Sequence, residues 1–201
     1  MGLIMPRHIL SLSILSLSVL SGSVIAATNS PGGIISFSGA ISDTTCTING
    51  NNSADMSIAL DPIISSDAGT TASTVITKNQ KAFGLTFSNC AIVGGGTPAG
   101  TLKLHFSSSN ISPSGLYLMN TTVNENDPAV ARNVGFSLSQ TGSPTVAIPL
   151  NTTFDTQLTA ANTTSAAGAT LNLIASYYKT NATAASVGAL QSNVVYTVSY
   201  L

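Results

Sequence analysis

Apolar side chains recur along this sequence at every second position. "KAFGLTFSNC" places Phe83, Leu85 and Phe87 on one face, "TLKLHFSS" does the same with Leu102, Leu104 and Phe106, and "RNVGFSLSQ" with Val134, Phe136 and Leu138. "ATLNLIASYYKT" alternates Leu171, Leu173, Ala175 and Tyr177; "NVVYTVSYL" alternates Val194, Tyr196, Val198 and Tyr200. A period of two is that of a strand with one face on a core and the other in water. "DMSIAL" and "TVAIPL" are shorter strand candidates, and "ISSDAGTTAST" has room for a helical turn. Clusters such as "NGNNS", "VGGGTPAG", "SPSG", "NENDP" and "QTGSP" separate the runs and read as turns. Many strands divided in this way predict an all-β sandwich, with no internal repeat and no linker to a second domain.

The two ends of the pattern differ from the middle. In "GGIISFSGAISDTTC" one face reads Gly33, Ile35, Phe37, Gly39, Ile41, while the other is mostly small and polar. Burying each of the three large side chains is worth about 1.5–3 kcal/mol, so this strand needs a groove. Glycine weakens an ordinary strand, and on a buried face it implies a shallow place in that groove. At the other end "VVYTVSYL" runs straight to Leu201. Either the sheet lacks a strand there or the strand is a long, apolar, unprotected edge. One end offers a spare strand and the other a vacancy.

Composition narrows the compartment. Arg7 and His8 precede an apolar stretch from Ile9 to Leu20, and "SGSVIAA" then presents small residues. This is the layout of a secretory signal peptide cleaved after Ala26, with the neighbouring Ala27 as the alternative. The apolar stretch is too short and serine-rich to span a bilayer. The remaining residues, about 175, suit one domain. Only 6% of the chain is charged and the net charge is −1, which leaves no clustered cations for a nucleic acid. Cys46 and Cys90 both lie in the exported part, where one disulfide is the default. The loop of about 45 residues would contribute roughly 4 kcal/mol in the chain-entropy account.

Catalytic chemistry finds little support. Glu125 and Asp127 in "NENDP" look like a carboxylate pair but read more simply as a turn. His105 is the one histidine beyond the signal segment, and its place in "LKLHF" points it outward with Lys103. A lone histidine that nothing orients is no triad. Gly94–Gly96 is not followed by a phosphate-binding GK[ST] motif. The "NTT" triplets at Asn120, Asn151 and Asn162 read as surface loops. No metal or cofactor is expected, and the chain is not expected to be an enzyme.

Taken together, the run "GG-I-x-F-x-G-x-I" before Cys46, Cys90 after "LTFSN", "NVGFSL" (Asn133 to Leu138), "ASYY" (Ala175 to Tyr178) and the terminal "YTVSYL" resemble type 1-like fimbrial subunits of the chaperone–usher pathway. Gly39 stands seven residues before Cys46, as that family's donor-strand glycine does. The resemblance implies an incomplete immunoglobulin-like sandwich that lacks its last strand and is completed in trans. On that reading residues 1–26 are the signal peptide, 27–42 the donor-strand extension and 43–201 the pilin domain. Gly33, Ile35, Phe37, Gly39 and Ile41 would face a neighbour's groove, Cys46 and Cys90 would form the family disulfide, and Val194, Tyr196, Val198, Tyr200 and Leu201 would belong to the strand that pairs with chaperone and then donor. The implied partners are other fimbrial subunits, a periplasmic chaperone and an outer-membrane usher, with the cell-surface fimbrium as destination. The implied function is a structural subunit polymerising by donor-strand exchange; the alternative is a minor adaptor or tip-associated subunit.

Overall fold

The computed structural model describes residues 41–50, 55–121 and 129–200. Gly33, Ile35, Phe37, Gly39, Glu125, Asp127 and Leu201 lie outside that set. Seven strands follow one another as β1 (Thr44–Ile48), β2 (Thr74–Ile92), β3 (Thr101–Ser107), β4 (Val134–Gln140), β5 (Thr153–Thr159), β6 (Ala169–Lys179) and β7 (Val195–Tyr200). One helical turn, α1 (Ala160–Thr163), joins β5 to β6, and a 3-10 turn at Ser65–Ala68 falls inside the stretch expected to hold one. The strands form two antiparallel sheets, ordered β1-β2-β6-β4 and β5-β3-β7.

The alternation along each strand decides what meets between the sheets. Leu85 and Phe87 of β2, Leu138 of β4, and Leu171 and Leu173 of β6 share one core with Leu102, Leu104 and Phe106 of β3 and with Val198 and Tyr200 of β7. Cys46 in β1 and Cys90 in β2 are joined by a disulfide across 44 residues of sequence. His105 is exposed, as its position opposite the apolar face of β3 requires.

Several elements depart from the sequence pattern. "DMSIAL" contains no strand, although Ile58 and Leu60 pack on the core. "TVAIPL" is reduced to one bridge, Ala147 to Ser139; Pro149 has no N–H with which to extend it. Conversely, β5 and the first half of β2 were not anticipated. The buried face of β5 carries Thr156, whose hydroxyl donates to the Leu102 carbonyl at 2.6 Å, so a polar residue hides the alternation. In β2 the ladder slips between Ile76 and Lys81. Asn79 there has φ of 55°, and its side-chain amide donates to the Pro62 carbonyl at 2.8 Å. Such a bulge reverses the facing of the side chains and breaks the period of two. Gly135 in β4 is required by close approach: a Cβ there would lie 2.5 Å from the Leu118 carbonyl oxygen, where Leu118 pairs with Phe136.

Two charged groups have unlike surroundings. Lys179, at the end of β6, is fully buried. Its ammonium donates to the carbonyls of Asn133 at 3.3 Å, Asn181 at 2.6 Å and Thr183, and burial lowers its pKa. Asn133, at φ of 63°, accepts from the Asn181 side chain at 2.9 Å and donates to the Ala184 carbonyl at 2.8 Å. Together these bonds fasten the segment after β6. Asp155 of β5 is exposed and pairs with Lys103 of β3. Hydrogen bonds from the Lys103 ammonium and then the Gln157 N–H hold its pKa below the usual 3.8. A lowered carboxylate pKa contributes stability above the unfolded value and loses it as pH falls through the folded one. In Asp155→Asn we therefore expect a slightly shallower acid limb below pH 4 in denaturation titrations, with little change at pH 7, as befits an exposed pair.

Candidate strand-accepting groove

Where the two sheets part, the core opens on a cavity of about 610 Å³. Its floor comes from Phe83, Leu85, Leu138 and Leu173 of one sheet and Phe106 of the other, with Ile48 at the end of β1. One lip is the extended segment Asp55, Met56 and Ile58; the opposite lip is Val194, Val195 and Tyr196, leading into β7. These lips are far apart in sequence and sit together because Ile58 and Tyr196 both pack on the shared core. Asp55 is the sole charged residue of the lining among the described residues. Tyr196 has its pKa raised by burial and then by the Asp55 charge.

The strand along one lip is an edge. β7 is flanked by β3 on one side and by no other named strand among the described residues. Its far end is closed, since Tyr200 is buried and its hydroxyl shares a hydrogen bond with buried Thr163 of α1. The opening therefore lies toward the start of β7. A groove with an apolar floor and a strand edge for a wall can take one more strand: the backbone edge offers hydrogen bonds, and the floor accepts every second side chain.

Of the five residues expected on the spare strand, Ile41 is among those described, and it is fully exposed at 101% of its reference area. The two residues that follow it are bonded to the sandwich. Asp43 accepts from the Val93 N–H at 2.7 Å, and the Ser42 hydroxyl donates to the Val198 carbonyl of β7. Val194, Tyr196, Val198 and Tyr200 all lie at or next to the groove or on the core face of β7. Sequence reasoning placed β7 but missed the second lip, whose weak alternation gave no hint that it lines the same groove. Among the described residues no three metal-ligating side chains gather, and no helix is long and apolar enough to cross a membrane.

A family model described as "Fimbrial protein" matches residues 35–201. The chain belongs to the fimbrial protein family. Three solved structures are similar to this fimbrial protein. The P pilus rod subunit PapA is 21% identical, with a TM-score of 0.49 over 85% of this chain and 100% of its own. A subunit from a chaperone–usher pilus structure concerned with rod uncoiling is 20% identical, with a TM-score of 0.48 over 85% of this chain and 96% of its own. An antigen and type I fimbria protein of Burkholderia pseudomallei is 16% identical, with a TM-score of 0.45 over 78% and 95%. No curated protein matches the sequence.

Proposed function

We propose that this fimbrial protein is a structural pilus subunit that polymerises by strand addition: residues 32–42 of one copy, or of a related subunit, fill the groove between residues 55–58 and β7 of the next. A periplasmic chaperone and an outer-membrane usher hold and exchange the filling strand on the way to the cell surface. The observation that carries the reading is the apolar groove itself, open beside an edge strand. Exposed Ile41 supports it, since a leading strand committed elsewhere leaves its own sandwich bare of that side chain. The fit is chemical as well as geometric. Residues 32–42 carry no charge and present isoleucine, phenylalanine and glycine on one face, matching a floor of leucine, isoleucine and phenylalanine. No bond is made or broken and no cofactor takes part.

A synthetic peptide of residues 32–42 tests this directly. Added to the purified exported chain, it is expected to raise the thermal midpoint in a concentration-dependent way, as any ligand of the native state does. With 1 kcal/mol worth about 2–4 °C in a domain of this size, a hundredfold excess over Kd corresponds to roughly 5–10 °C. The same peptide with Phe37 and Ile35 replaced by aspartate should give no shift. Equal shifts from both peptides would sink the proposal.

A further inference from the structure

Resting on the strand-addition reading, we infer that Met56 is an oxidation site on the groove lip. A two-electron oxidant such as hydrogen peroxide there turns an open subunit into a poor strand acceptor, while a filled groove shields the sulfur. Met56, Ile58 and Leu60 stand at alternate positions of one segment. Ile58 and Leu60 are half-buried against the shared core. Met56 lies where that core opens, lining the cavity together with Ile48, Phe83 and Tyr196, and 43% of its area is exposed. Its side chain thus meets the groove and solvent at once. Three rotatable bonds and a polarisable thioether fit methionine to irregular surfaces that receive more than one partner.

The same thioether is open to attack. A sulfur lone pair takes one oxygen from hydrogen peroxide, the O–O bond breaks, sulfur loses two electrons, and the second oxygen leaves as water. The sulfoxide so formed is polar and chiral where the thioether was apolar. In an open groove its oxygen is hydrated, so oxidation costs the unfilled sandwich little. A filling strand expels that water and sets the oxygen against a lining that is mostly hydrocarbon. A buried acceptor without a donor weakens such a complex by roughly 5- to 150-fold. Occupancy and oxidation therefore oppose each other. A subunit that waits open is vulnerable, a filled one is shielded, and methionine sulfoxide reductases restore the acceptor by returning the sulfoxide to the thioether.

Met119 supplies the internal control. It is the one other methionine beyond the signal segment, is similarly exposed at 37%, and does not line the groove. The exported chain is treated with hydrogen peroxide, with and without peptide 32–42, which itself contains no methionine. Mass spectrometry of proteolytic fragments then follows each site. At a hundredfold excess over Kd only about 1% of grooves stay open, so oxidation of Met56 should slow by about 10- to 100-fold, with Met119 unaffected. In calorimetry the oxidised chain should bind the peptide roughly 5- to 150-fold more weakly and recover after reductase treatment. Met56→Leu keeps an apolar lip and retains Met119, so peroxide should leave its affinity unchanged. Equal oxidation of Met56 with the groove filled, or undiminished affinity after it, would overturn the inference and leave strand addition intact. A peptide that fails to raise the thermal midpoint of the untreated chain would remove both.

Discussion

Phe37→Asp is expected to give an exported, disulfide-bonded subunit that enters no fibre. On the strand-addition reading Phe37 serves a neighbour's groove, so the described core side chains and the Cys46–Cys90 bridge of its own sandwich are left as they are. The strand that must fill a neighbour's groove, by contrast, would carry a carboxylate onto a floor of Leu85, Leu138 and Leu173. Losing a buried phenylalanine already forfeits about 1.5–3 kcal/mol, and an unpaired buried charge costs several more. With every joint weakened by that much, an affinity drop of at least about 10³-fold follows. Gly39→Asp should behave alike for a second reason, because any side chain there must find room on the buried face. Electron microscopy of surface fibres, alongside immunoblots for periplasmic subunit and a thiol-labelling assay for the disulfide, separates failed assembly from failed folding. Normal fibres from Phe37→Asp would refute the assignment of the leading strand.

Lys179→Met is expected to produce a large loss of stability from a single side chain remote from the groove. The ammonium is fully buried and satisfies three backbone carbonyls, from Asn133, Asn181 and Thr183. Methionine fills a similar volume but donates nothing; the Asn133 carbonyl keeps the Thr180 N–H at 3.2 Å, while those of Asn181 and Thr183 lose this donor. A buried acceptor without a donor costs about 1–3 kcal/mol, and with partial relaxation the two together should total about 2–4 kcal/mol. That corresponds to a fall in the thermal midpoint of roughly 4–16 °C, measurable by circular dichroism. The cation also has a pH signature. Burial lowers its pKa from 10.5, so the unfolded chain binds the proton more tightly, and stability rises with pH between the folded value and 10.5. Lys179→Met should lose that rise. Tyr177, Tyr178 and Tyr196 act oppositely: burial raises their pKa values above 10, so stability falls once unfolded tyrosine ionises.

The groove and the lysine cage were unequally visible in the sequence. Alternation alone identifies β3, β4, β6 and β7, since each carries apolar residues at every second position. It predicts the leading strand for the same reason, and the two cysteines predict the bridge that joins them. It fails at β5, where Thr156 is buried behind a hydrogen bond to Leu102, and in the first half of β2, where the bulge at Asn79 shifts the facing. Lys179 gives no sign at all: a lysine at the end of a strand reads as solvated until the carbonyls that surround it are known.

What the sequence determined by itself is a set of local periods and covalent possibilities. It predicts export, an all-β fold, one disulfide and a spare apolar strand ahead of Cys46. Such properties follow from neighbours two residues apart, and they need no knowledge of the fold. The tertiary structure decided which backbone edge stays open, that residues 55–58 form the facing lip, and that Ser42 reaches Val198. These are contacts between residues 50 to more than 150 positions apart, and only the packing of two sheets around one core brings them within the reach of a hydrogen bond.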